Sequence, residues 1–284
     1  GDFGASDGWQ KFQYIATSNG KLNLAVANLL DTLVSSSLMI DNVVISSNAT
    51  LEVESNSTLA LPITAVLNDT DGSEKLTITV KHLPSEITVN NGVKQSDGSY
   101  LLTQDDLNNL QLITGDFSGH IDIEIEAKSV EESNGDTALS SKTLSIDVVM
   151  QGDANDNQLI GDVGDNIIKG LAGNDTLVGN AGDDALSGGL GADIFDYNSN
   201  NDGHDIITDF NLSEGDQLDI SDFVDYHANN DLADFVTVEN VDGDSVIHID
   251  SDGTGIGDSY VSITLLDTTL SLDELSNANA FIVL

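Results

Sequence analysis

From Gly152 the chain runs GDANDNQLI, GDVGDNIIK, GLAGNDTLV, GNAGDDALS and GGLGADIFD, five nine-residue units without a slip. The first position is Gly152, Gly161, Gly170, Gly179 and Gly188, and the fourth is Asn155, Gly164, Gly173, Gly182 and Gly191. The sixth is Asn157, Asn166, Asp175, Asp184 and Asp193, and the eighth is Leu159, Ile168, Leu177, Leu186 and Phe195. A period this short and strict means stacked, near-identical units that each touch only their neighbours. A flexible Gly/Asp linker needs no apolar residue at every ninth position, so the pattern excludes one. Glycines at positions one and four are expected to supply positive-φ turns and turn carbonyls inward. The sixth position supplies a hard oxygen, and the eighth supplies an apolar side chain to the core of the stack.

Charge says what such turns hold. The chain of 284 residues has 49 acidic and 8 basic residues, a net charge of −41; Asp accounts for 38 of the acids, and Arg is absent. Beyond Lys169 there is no basic residue, whereas 24 acids follow. Such a field repels phosphate and anionic lipid, which excludes nucleic acid and membrane surfaces as partners. Asp favours turns over helices, because its carboxylate competes for nearby backbone N–H groups. The excess therefore implies loops that bind something positive, and Ca2+ suits them because it takes six to eight oxygens, backbone carbonyls included, in loose geometry. Cysteine is absent, which removes disulfides, thiolate metal sites and cysteine nucleophiles. No apolar run is long enough to span a bilayer. No basic, apolar-cored leader opens the sequence, and Gly1 is expected to mark a fragment of a longer chain.

Upstream, residues 48–150 alternate apolar and polar side chains in LTITV, IDIEIEA and LSIDVV, the period of half-buried strands. The turn clusters NDTDGSE, NNGVKQSDGS and EESNGDT separate them. About seven short strands in about 100 residues predict an immunoglobulin-like β-sandwich without its cysteines. Residues 1–47 hold three more strand-like runs (FQYIAT, KLNLAVA and LMIDNVVIS) with Trp9 and Phe12 as core candidates. They are too few to be stable alone and read as the closing strands of a split or truncated domain. The tail, 201–284, is acidic and strand-like, with a short helix expected near Ser271–Ala280.

The nonads resemble the RTX family, in which each is half a coil and turns 18 residues apart clasp an ion. The stretch GGLGADIFDYNSNNDGHDIITDFNLSEGDQLDIS is similar to the passage from last repeat to type I secretion domain in large RTX proteins. LNDTDGSEKLTITVKHLP and SYLLTQDDLNNLQL resemble the Ig-like extender modules of RTX adhesins, and GWQKFQY with LMIDNVVIS resembles the end of a jelly-roll domain. The fold class implied is all-β: jelly-roll-like closing strands (1–47), an Ig-like sandwich (48–150), a parallel calcium β-roll (151–200) and a β-rich secretion cap (201–284).

Carried onto this sequence, the resemblance implies a first ion site from Asp153, Asn155 and Asn157 with Gly170, Ala172 and Asp175. The second takes Asp162, Gly164 and Asn166 with Gly179, Ala181 and Asp184; the third, Leu171, Gly173 and Asp175 with Gly188, Leu190 and Asp193. A fourth, capping ion takes Asn180, Gly182 and Asp184 plus Asp202 or Asp205. Asn157 and Asn166 depart from the pattern, so the first two sites are expected to be weaker or empty. Apart from the nonads, Asp69, Asp71 and Glu74 gather three carboxylates around Gly72, either as a further calcium site or as a polar hairpin turn. Asp250 and Asp252 lack the glutamate of a calcium loop and read as a turn.

No H-E-x-x-H or G-x-S-x-G occurs and the five histidines are scattered, so no enzymatic activity is expected. Three functions follow. The chain is the calcium-dependent, C-terminal end of a monomeric adhesin at the bacterial surface, exported by type I secretion machinery, with glycan or protein ligands met by upstream domains. Alternatively it is the secretion tail of an extracellular RTX hydrolase, or its first 47 residues complete a carbohydrate-binding module. The extender-like block favours the adhesin.

Overall fold

The computed structural model describes residues 40–45, 50–67, 74–132, 135–222, 224, 231–253 and 261–283. FQYIAT, KLNLAVA, Trp9, Phe12, Asp69 and Asp71 lie outside them. The described residues form two compact units, one reaching Gly115 and resuming at Ile121–Ile146, the other Asp116–His120 with everything from Asp147 onward.

The first unit is antiparallel. Strand Glu74–Lys81 pairs with Gly119–Glu131 on one side and with Tyr100–Leu102 on the other. A smaller sheet pairs Gln111–Ile113 with both Thr58–Ala60 and Thr88–Val89. The expected alternation is present: Ile121, Ile123, Ile125 and Ala127 are buried while the residues between them face out. Strand Ile40–Ile45, within the run assigned to the preceding jelly-roll-like block, pairs with Ile63–Leu67 of the sandwich block.

The second unit is built on parallel strands. On one side Met150, Ile168, Leu186, Ile207 and Leu265 stand in register on successive strands. On the other, Leu159, Leu177, Phe195, Leu218 and Phe281 do the same. The offset is 18 residues for the first two steps on each side, as two nonads per coil require. It then widens to 21 (Leu186 to Ile207) and 23 (Phe195 to Leu218), so the coil continues past the last nonad. The antiparallel hairpin Val236–Val241 and Asp244–Ile249 closes one sheet against Val261–Leu265.

Position eight of nonads two to five is almost fully buried, and one cluster runs from Ile168 to Ala280 without a break at residue 200. Each such leucine or phenylalanine is worth about 1.5–3 kcal/mol relative to exposure. The expected helix is Leu272–Asn277, started by a capping box in which Ser271 and Glu274 satisfy each other's backbone N–H. Its Leu275 is buried in the roll core, and the final strand, Phe281–Ile282, is the last rung of the second sheet. No described helix is long and apolar enough to cross a membrane.

Candidate metal centre

Register does the first work at this site. Because equivalent residues stack, the sixth positions of successive coils form two columns. In one, Asn157 donates its backbone N–H to Asp175 Oδ1 (2.8 Å), Asp175 to Asp193 Oδ1 (2.8 Å) and Asp193 to Asp216 Oδ1 (3.0 Å). In the other, Asn166 donates to Asp184 Oδ1 (2.7 Å) and Asp184 to Asp205 Oδ1 (2.9 Å). One oxygen of each carboxylate is thus tied to the backbone of the previous coil.

The other oxygen decides the chemistry. Oδ2 of Asp175, Asp184, Asp193 and Asp205 is buried with no hydrogen-bond partner, in side chains at most 1% exposed. An unsatisfied buried polar atom costs about 1–3 kcal/mol, more when charged, and native folds contain few. Four in two regular columns fit a hard cation bound between coils, which supplies the missing partner. Backbone oxygens would have to complete the set, because among the described residues no three carboxylate or imidazole side chains converge on one point. The carbonyls of Gly170, Gly179 and Gly188 lie against the position-one glycines of the preceding coil, Gly152, Gly161 and Gly170. Those of Asp153 and Leu190 each accept an N–H, from Ala172 and Gly173, and keep one lone pair.

Only part of the expected role of glycine holds. Gly173, Gly182 and Gly191, at position four, have positive φ as predicted, but Gly164 at the same position and the position-one glycines do not. Those are needed for room, because a Cβ at Gly170, Gly179 or Gly188 would overlap the position-six carboxylate of its own nonad. The second left-handed residue falls instead at position two, at Leu171 (φ 81°), Asn180 (66°) and Gly189 (97°). A leucine there carries strain of about 1–2 kcal/mol.

Asn157 and Asn166 make contacts that differ from those of the aspartates at the same position. Their Oδ1 atoms accept the N–H groups of Asp153 (2.7 Å) and Asp162 (2.8 Å) in their own nonads, contacts the aspartate coils lack. Asn166, only 2% exposed, donates its amide to Asp162 Oδ1 (3.1 Å) and to the Ser118 carbonyl (3.3 Å). Ser118 Oγ in turn bridges the N–H and carbonyl of Ile167 (3.0 and 2.9 Å). An aspartate could not donate to Ser118, so this asparagine seals the start of the column with protein.

Without a cation the carboxylates are under electrostatic pressure. Burial, with neighbouring aspartates adding to it, pushes Asp205 up to about 8 and Asp184 to about 6. Burial likewise raises Asp216 to about 6 and lifts Asp193, Asp196 and Asp202. Of the two candidates for the capping ion, Asp205 continues the column. Asp202 Oδ2 instead accepts the N–H groups of Asn198 (2.7 Å) and Ser199 (3.1 Å).

Sequence reasoning missed three features. Position five forms an outer column, with Asp156, Asn174, Asp165 and Asp183 accepting the N–H groups of Asn174, Ala192, Asp183 and His204. Its signal was an Asp or Asn at that place in four of five nonads. Asp209 accepts from Ser187 Oγ (2.6 Å) and from the N–H groups of Gly188 and Gly189 (both 3.0 Å), sealing the last glycine turn. Asp216 ends the other column, its Oδ2 taken by the N–H of Asn211 (2.8 Å). Elsewhere Asp252 donates its N–H to Asp250 Oδ1 (3.2 Å), the turn expected. Glu74 stands across from the buried Glu131 on the paired strand.

A parallel β-roll with columns of backbone-anchored carboxylates defines a class of calcium-binding repeat. The family model for the RTX calcium-binding nonapeptide repeat matches residues 149–177, 160–195 and 169–207. Residues 149–207 therefore carry RTX nonapeptide repeats, which bind calcium ions. Among solved structures, the chain is similar to the AlgE6R3 subunit of the Azotobacter vinelandii mannuronan C5-epimerase at 27% identity and a TM-score of 0.28, covering 46% of this chain and 80% of that one. The AlgE6R2 subunit gives 22% identity and a TM-score of 0.23, covering 48% of this chain and 91% of that one. The extracellular lipase LipA of Serratia marcescens gives 20% and 0.28, covering 56% of this chain and 29% of the lipase. No curated protein matches the sequence.

Proposed function

We propose that the chain is the calcium-dependent C-terminal region of a secreted bacterial adhesin, exported unfolded by type I secretion machinery and folded outside the cell by calcium. The observation that carries this reading is the two columns of buried carboxylates whose free oxygens have no protein partner. In a low-calcium cytosol those columns repel, and the 24 acids after Lys169 keep the chain open. Extracellular calcium modules bind at roughly 10⁻⁴–10⁻³ M, so the sites fill only after export. The antiparallel unit is read as an Ig-like extender that holds a ligand-binding part of the protein away from the cell surface. Glycan or protein ligands are met by domains upstream, the chain works as a monomer, and it catalyses no reaction. The buried Leu275 and paired Phe281–Ile282 support a secretion tail that is kept and becomes the final rung of the folded roll.

The test is to produce the whole chain in bacteria with and without an active type I exporter. The chain is expected in the medium only with the exporter, and resistant to protease there only with millimolar calcium. Retention inside cells that export a control substrate normally would overturn the secretion reading.

A further inference from the structure

The coil does not stop where the nonads do. Gly203 stacks on Gly182 as Gly182 stacks on Gly164, His204 donates its N–H to Asp183 as Asp183 does to Asp165, and Asp205 continues the column of Asp184. Ile207 then takes the core position. Residues 203–207 therefore occupy positions four to eight of a sixth unit that no sequence period marks, because the coil carries three extra residues.

The extra length coincides with a substitution. Counting on from Gly188, position one of that unit is Tyr197, where every earlier unit has glycine. The glycines leave room for the position-six carboxylate of their own unit. Tyr197 is instead a fully enclosed ring, its backbone N–H held by the Asp219 carbonyl (2.8 Å) and its hydroxyl beside Asp205. Three polar groups that are at least 98% buried meet there without a satisfied hydrogen bond: Asp184 Oδ2, Asp205 Oδ2 and the Tyr197 hydroxyl. The opposite column ends differently, since Asp216 closes on the chain's own Asn211 N–H.

We propose that Asp184 and Asp205 hold a terminal calcium ion between the fourth nonad and the concealed sixth unit, with Tyr197 as the positioning residue that turns Asp205 toward it. The inference rests on the calcium reading of the nonads and deepens it. Asp202 is not a ligand in this site; it holds the loop at Asn198 and Ser199. A carboxylate anchored at one oxygen by backbone and steered at the other by a buried phenol keeps its aim without help from the regular repeat, which has ended.

Calorimetric titration of the full chain with calcium, and with terbium as a luminescent substitute, tests this. Asp205→Asn is expected to lower the number of bound ions by one, whereas Asp202→Asn, which keeps both backbone acceptor contacts, leaves it at the wild-type value. Tyr197→Phe, which removes the polar group beside Asp205 Oδ2, is expected to keep the ion count, weaken the last ion about tenfold, the scale of one buried polar interaction with a charged group, and lose the terbium emission excited through that tyrosine. An unchanged count and affinity in Asp205→Asn, or loss of the ion in Asp202→Asn, overturns the assignment. Should Asp205→Asn fail to fold, undiminished terbium emission in Tyr197→Phe overturns it independently. A wild-type chain that binds no calcium at all defeats the reading of the nonads as well, which separates the two failures.

Discussion

The two units handle buried polarity in opposite ways. In the antiparallel unit the fully buried Thr114 is a neutral hydroxyl that accepts the Ser57 N–H (2.9 Å) and donates to the Glu54 carbonyl (3.0 Å). In the roll, buried aspartates are satisfied at one oxygen and open at the other. The charges differ as well, since every lysine but Lys169 precedes residue 147. The first unit also buries a hydroxyl, that of Ser129, without a hydrogen-bond partner, but only the second repeats open carboxylate oxygens from coil to coil, as positions for a cation. On the function proposed above, the first part is expected to fold without calcium and the second only with it.

Removing calcium tests that contrast most severely. With calcium at about 100 times the dissociation constant, each ion adds about 2.7 kcal/mol, so three or four rival the net stability of a domain, roughly 5–15 kcal/mol. Chelation is expected to abolish the thermal transition of the roll and leave that of the antiparallel unit in place. Calorimetry with and without chelator shows it, and a single calcium-independent transition for both would erase the distinction.

Within the roll, Asp175 serves two inter-coil sites and Asn157 only the amide end of one. Asp175→Ala is expected to cost about 5 kcal/mol at saturating calcium, two ions at the value above, whereas Asn157→Ala costs less than one ion. Equal losses in a calcium titration would contradict the shared column. Matched core truncations sharpen the comparison at a similar or smaller scale. Ile78→Ala and Leu177→Ala should each cost about 2–5 kcal/mol, but only Leu177→Ala should also raise the calcium concentration needed for folding.

The smallest effect is in pH, and its sign separates the two states of the roll. Folding raises the Asp205, Asp184 and Asp216 carboxyls above the ordinary aspartate value, chiefly by burial. In metal-free protein the folded state therefore binds more protons than the unfolded one. Stability should rise as pH falls from about 8 through about 6, and reach its full value below the unfolded aspartate pKa of about 3.9. With calcium bound, the same protons compete with the ion and acid should weaken the fold. Circular dichroism of calcium-free chain titrated from about pH 8 to about pH 4, beside denaturant melts of the calcium-bound chain over the same range, distinguishes opposite slopes from a common one.

The roll was legible because nine-residue periodicity, glycine and aspartate are local signals, and so was the change from aspartate to asparagine at Asn157 and Asn166. The antiparallel strands were legible from alternation, and the capping box from Ser271 and Glu274. Three things were not. The pairing of Ile40–Ile45 with Ile63–Leu67 is a contact between distant segments that no local pattern encodes. Asp209 and Asp216, and the choice of Asp205 over Asp202, lie where offsets widen to 21 and 23 residues and the period is lost. Ser118 caps Asn166 from 48 residues away.

By itself, then, the sequence determined the kind of coil, the cation that suits it and the charge that keeps it open without one, because these depend on residue type at fixed local spacing. Only the tertiary structure decided where the columns end and what closes them: Ser118 at the start of one, Asp205 with Tyr197 at its finish, Asn211 on Asp216 at the finish of the other. Ends have no neighbour in the repeat to satisfy them, so their partners come from distant parts of the chain and appear only when it is folded.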